Sequence, residues 1–97
     1  MSYSYQRISV RPTLDVSFYP FPAGLTEYIQ ITYTDTGKLV STVTEYTDGN
    51  LIQVRTNTFS DIAAWEEYTQ DPLISSFLAE RNQYELENGI VVDKVIL

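Results

Sequence analysis

The strongest restriction on the fold is a pair of β-rich runs, Lys38–Thr47 and Asn50–Phe59, that flank Asp48-Gly49. Asp-Gly adopts the positive φ angles of a two-residue type I′ turn at little cost, so the spacing predicts an antiparallel hairpin. Such a turn would set Val43 opposite Val54, Glu45 opposite Ile52 and Leu39 opposite Thr58 on a mainly apolar face. The other face would pair Thr42 with Arg55, Thr44 with Gln53 and Tyr46 with Leu51, and it is largely polar. A three-residue turn with a bulge would shift these pairs by one. The apolar face is expected to pack on a core, and the polar one to meet water or a partner.

Other elements follow from local signals. Residues 3–11 alternate as a strand, with Ile8 and Val10 on one side and Tyr3, Tyr5 and Arg7 on the other. Pro12 ends that strand, and Leu14–Tyr19 reads as a second one. Pro20 to Gly24 then breaks regular structure. Residues 25–35 satisfy two patterns. Leu25, Tyr28 and Ile29 have helical spacing, whereas Ile29, Ile31 and Tyr33 alternate as in a strand; topology favours the helix.

Ser60 is expected to cap a helix carrying Asp61 in its first turn and Ile62, Trp65 and Tyr68 on its apolar stripe. Asp71-Pro72 starts a further helix, with Asp as N-cap and Pro at the first position. Leu73, Ile74, Phe77, Leu78, Arg81 and Tyr84 form its stripe, and Asn88-Gly89 closes it. Ile90–Leu97 is the final strand. The order after Pro12 is therefore βαββαβ. The expected class is α+β: a ferredoxin-like antiparallel sheet with helices on one face and an extra N-terminal strand, in one domain over residues 1–97.

Composition narrows the chemistry. The chain has no Cys and no His, which removes thiolate and imidazole nucleophiles, bases and metal ligands together. Six basic residues against 13 acidic ones leave a net charge of −7, which disfavours nucleic acid and anionic membrane surfaces as partners. The opening lacks an apolar segment of signal-peptide type and no run is long enough to span a bilayer, so a cytoplasmic site of synthesis is expected.

Candidate constellations give no catalytic set. Glu66 and Glu67 are adjacent on a helix and diverge, and Glu85 and Glu87 read as part of a solvated face. Asp48-Gly-Asn lacks the spacing of a calcium loop, and no glycine-rich phosphate motif occurs. Neither a metal nor a cofactor is expected, and the residue types point to binding more than to catalysis.

From Gly37 to Pro72 the chain resembles dimeric α/β-barrel domains of the antibiotic-biosynthesis-monooxygenase type. Asp48-Gly49-Asn50, Phe59-Ser60-Asp61, Ala63-Ala64-Trp65 and Asp71-Pro72 carry the resemblance. It implies a ferredoxin-like fold, a homodimer, and a cavity between sheet and helices lined by Trp65 and Tyr68, in which cofactor-independent members act as oxygenases. Haem-degrading members use a His ligand, and this chain has none. Its acidic, Tyr-rich texture also looks like that of small tailed-phage proteins, which implies a virion or host-interaction role.

The leading expectation is a non-enzymatic binding or assembly module with a protein partner, a second copy of itself. Contact would run through the polar sheet face or the N-terminal edge strand: Tyr3, Tyr5, Arg7, Thr42, Thr44, Tyr46, Gln53 and Arg55. The alternative is a cofactor-independent oxygenase or small-ligand binder of the α/β-barrel type.

Overall fold

Strand β1 (Tyr3–Val10) lies in the middle of a four-stranded antiparallel sheet, in a computed structural model that describes residues 1–97. The chain continues through helix α1 (Ala23–Ile29), a π-helical turn (Gln30–Thr34), strands β2 (Leu39–Thr47) and β3 (Ile52–Phe59), helices α2 (Ile62–Gln70) and α3 (Pro72–Glu87), and strand β4 (Val91–Ile96). The sheet order is β2-β3-β1-β4. The architecture is thus α+β.

Only one strand precedes α1: the N-terminal strand forms as β1 and takes the first place in the order, and the second strand expected over Leu14–Tyr19 is not formed. Leu14–Tyr19 is irregular because Pro12 removes a ladder donor and the chain turns at once, Val16 N–H donating to Thr13 O at 3.3 Å. Its aromatic side chains are used elsewhere. Phe18 meets Arg11 and Tyr46, while Tyr19 packs on Phe77 and Tyr84.

The ambiguous segment resolves as helix. The π-turn folds Tyr33 inward to 2% exposure, where its hydroxyl donates to Asp71 Oδ2 at 2.7 Å. Gly37, at φ +80°, then releases the chain into β2.

The hairpin forms, with a different turn. Asp48, Gly49 and Asn50 all take positive φ, and a four-residue loop replaces the two-residue one. Pairs slip accordingly: Val43 lies opposite Thr56, Glu45 opposite Val54, Thr44 opposite Arg55, and Tyr46 opposite Gln53. The slip is an even number of positions, so Val43, Glu45, Ile52 and Val54 still share a face. A bulge at Val40 reverses the alternation once, placing Leu39 against Phe59.

The helix N-caps are local. Asp61, one residue later than expected, accepts from Ala64 N–H at 2.8 Å. Asp71 caps α3 through Leu73 N–H at 3.0 Å, with Pro72 in the first turn. Gly89 ends α3 at φ +70°.

The helices cover the face that carries Tyr3, Tyr5, Arg7 and Ser9 on β1 with Asn57 and Phe59 on β3. Tyr5, Phe59, Leu39, Tyr33, Ala64, Tyr68 and Ile74 form one buried cluster there. The opposite face carries Ile8, Val10, Val43, Ile52, Val54, Val91 and Val95, with Glu45 and Asp93 as its charged residues. No helix lies on it. Val43 is 47% exposed and Val91 69%. The apolar side expected on a core is the open side, which corrects the sequence reading. No helix is long and apolar enough to cross a membrane.

Candidate functional site

Between the helix-covered sheet face and the helices lies a cavity of about 750 Å³. That volume falls within the ~300–1,000 Å³ common for small-molecule pockets. Sheet, helices and π-turn all contribute to its wall, including Tyr5, Asn57 and Val92 below, Trp65 and Leu78 above, and Gln30 and Thr34 at the π-turn. Trp65 and Tyr68, expected as cavity residues, both line it.

The eight residues expected as an exposed interface occupy this same side of the sheet. Tyr5, Arg7, Thr42 and Arg55 line the cavity. The Tyr3 ring packs against Trp65, tilted by 47° with ring centroids 5.0 Å apart. Tyr46 accepts from Gln53 and packs on Phe18, and Arg55 Nε donates to Thr44 Oγ1 at 3.4 Å. None of the eight projects from the open face. Thr42, Thr44 and Tyr46 are exposed on this side, as expected, whereas Tyr5 is buried and Tyr3, Arg7, Gln53 and Arg55 are half-buried, the long apolar bodies of Tyr and Arg reaching towards the helices.

The charge distribution is lopsided. Of six basic residues in the chain, four line the cavity: Arg7, Arg55, Arg81 and Lys94. Of 13 acidic residues, Glu85 alone lines it. Four cations against one carboxylate leave an excess of three positive charges along the cavity wall of a chain whose net charge is −7, Lys94 standing at its exposed edge.

Glu85 is buried, contrary to its expected place on a solvated face. It forms a two-point ion pair with Arg7, Nη1 lying 2.8 Å from Oε2 and Nη2 contacting Oε1. Only the three-dimensional pairing of β1 with α3 brings them together, since 78 positions separate them in sequence. Arg81 Nε lies 3.9 Å from the same carboxylate, beyond hydrogen-bond range, and has no partner. Burial pushes the Arg81 guanidinium down to about 10, and the nearby Arg7 and Arg55 act in the same direction. Arg55 is likewise lowered by burial.

Lys94 contacts rings in place of carboxylates. Its Nζ lies 4.4 Å from the Tyr5 ring centroid and 4.8 Å from that of Trp65. Burial lowers its pKa. Arg55 sits 4.5 Å over the Phe21 ring. The Trp65 indole N–H is buried without an acceptor. Tyr68 is pushed up to about 12, by burial first and then by Tyr5.

Such a wall offers aromatic faces, N–H donors and positive charge. It holds no group of three or more acidic side chains suited to a metal ion. Its one carboxylate is already engaged by Arg7. Binding and orienting a ligand are within its chemistry; relaying a proton near neutral pH finds no matching group.

No family model matches the chain, and comparison with curated proteins and with solved structures gives no match either.

Proposed function

We propose that this protein is a small-molecule-binding module whose ligand occupies the cavity between sheet and helices. The observation that carries the reading is the cavity itself, about 750 Å³ in a chain of 97 residues, with Trp65, Tyr5 and Tyr68 in its wall. A void of that size sacrifices packing, and a chain this short has little packing to spare. The ferredoxin-like reading of the fold is part of the proposal. β1 and β2 run in the same direction with β3 between them, and the helices share one face. The resemblance of residues 37–72 to dimeric α/β-barrel domains of the antibiotic-biosynthesis-monooxygenase type points the same way. Binding is favoured over oxygenase chemistry because the wall presents guanidinium, ammonium and phenol groups with no free base.

Trp65 is the only Trp, so its fluorescence reports on the site. Saturable quenching by some members of a panel of small aromatic compounds is expected. A flat response across the panel contradicts the reading.

A second copy of the chain is the proposed partner. The open face presents exposed Val10, Val43, Val91 and Val95 in a continuous sheet, and an isologous contact would bury them on both copies. In this homodimer the protein acts as a binding and assembly module, in keeping with a phage virion or host-interaction role. Light scattering over a range of concentrations is expected to give twice the chain mass of 11.1 kDa.

A further inference from the structure

Granting that the cavity is a ligand site, we infer that its ligand is a small organic anion: an oxyanion group on a flat, apolar body. The oxyanion would be held by Arg55 and Arg81, and the body would lie along Tyr5, Trp65 and Tyr68. Three observations support this, each separate from the volume of the cavity.

Cations concentrate where the chain can least tolerate them. Arg7, Arg55 and Arg81 share the cavity and converge again on a smaller pocket beside Phe18 and Tyr19, with Glu85 as the only acid in either. Gathering like charges in a half-buried wall, where they lose much of their hydration, is unfavourable unless an opposite charge joins them.

Glu85 supplies part of that charge, but Arg7 uses both of its oxygens. Arg55 has a 3.4 Å contact to a hydroxyl and no carboxylate, and Arg81 keeps an unpartnered Nε. Two guanidinium groups are therefore left with donors to spare. Their planar forks match carboxylate, phosphate or sulfonate oxygens, which can take two parallel N–H bonds.

Donors outnumber acceptors elsewhere on the wall too. The buried Trp65 N–H lacks an acceptor, and Lys94 has only the rings of Tyr5 and Trp65 beneath it. A bound oxyanion adds acceptors where the wall lacks them, and a flat body adds ring contacts. Snorkelling of long side chains over apolar surface would explain any one of these cations. It does not explain the near-exclusion of the 13 acidic residues from the same wall.

A matched pair of fluorescent probes provides the test: anilinonaphthalene sulfonate, and phenylnaphthylamine, which is the same scaffold without the sulfonate. On the unmodified protein the sulfonate should bind about tenfold or more tightly than its neutral analogue, as one charge-assisted contact allows. Arg55→Gln and Arg81→Gln should each reduce that preference by a comparable factor, the sulfonate losing more affinity than the neutral probe. The open sheet face cannot mimic the result, since its charged residues are Glu45 and Asp93. Equal binding of the two probes, or tighter binding of the neutral one, overturns the inference and leaves the cavity reading standing. Binding of neither overturns both. A preference that survives in both correctly folded variants removes the role of Arg55 and Arg81 and sinks the inference as stated.

Discussion

Asp71 joins three elements of this fold through one carboxylate. It caps α3, and its Oδ2 accepts from Tyr28 at 2.5 Å and Tyr33 at 2.7 Å. One side chain thus ties α1 and the π-turn to the junction of α2 and α3. Burial works against its charge, yet the hydrogen bonds from Tyr28, Tyr33 and the backbone of Leu73 and Ile74 outweigh it and lower its pKa. The contribution is therefore complete above the unfolded value of 3.8 and is lost as pH falls below it. Asp71→Asn should cost about 1–3 kcal/mol in urea unfolding at pH 7. Its stability should also fall less between pH 5 and pH 3 than that of the parent. Parallel acid limbs for the two proteins would show that the carboxylate charge is not what matters.

Glu85 and Arg7 give a second test at this scale. Removing one partner of a buried pair strands the other charge, at a cost of about 3 kcal/mol. Glu85→Gln should show a loss of that size, and Arg7→Met combined with Glu85→Leu should recover much of it. Near-parent stability of Glu85→Gln alone contradicts the pairing. Neither residue could be assigned this role from sequence, because nothing local distinguishes Glu85 from the solvated Glu87.

Elements whose signals are local were legible. The Asp71-Pro72 start of α3 and its Asn88-Gly89 end lie where capping chemistry puts them, and the Asp48-Gly49 hairpin exists. The register was not legible, because three successive positive-φ residues lengthen the loop and only packing of the strands selects that turn. More telling is the inversion of the sheet. Alternation correctly sorted Tyr3, Tyr5 and Arg7 from Ile8 and Val10. It could not say which set the helices would cover, and the bias towards an apolar core chose the wrong one. Trp65 and Tyr68 were named for the cavity through the resemblance of residues 37–72 to α/β-barrel domains, and their place on one helix stripe is compatible with it. Arg55, Arg81 and Lys94 were missed as a group since only the folded sheet assembles them.

The open face is where the element-scale prediction belongs. Val43 projects from β2 and Val95 from β4, at opposite edges of the sheet. Val43→Lys and Val95→Lys should each shift a dimer towards monomer in light scattering, with helical content unchanged, because neither side chain touches the helices. A dimer that resists both substitutions does not use this face.

At the scale of the whole molecule the balance is unusual. Only 12 of 97 residues are buried, and the radius of gyration is 13.7 Å, against about 12.5 Å for a compact chain of this length. The excess comes from a slab-like body, 37 × 25 × 18 Å, with one sheet face bare and a cavity beneath the other. A molecule with so small a core gains stability from anything that binds only the folded state, whether ligand or second copy. Within a chain whose net charge is −7, the cavity wall carries the opposite sign. The acidic exterior was plain from composition, and the basic interior was hidden in it.

That interior forms a cavity open to solvent and positive beside Trp65. Quenching of Trp65 fluorescence by iodide and by caesium, at equal ionic strength, tests all three together. An acidic protein should draw caesium and repel iodide. If the cations of Arg7, Arg55, Arg81 and Lys94 line the way to Trp65, iodide should quench it more strongly than caesium in spite of the net charge. Equal quenching by both ions, or stronger quenching by caesium, would contradict the account.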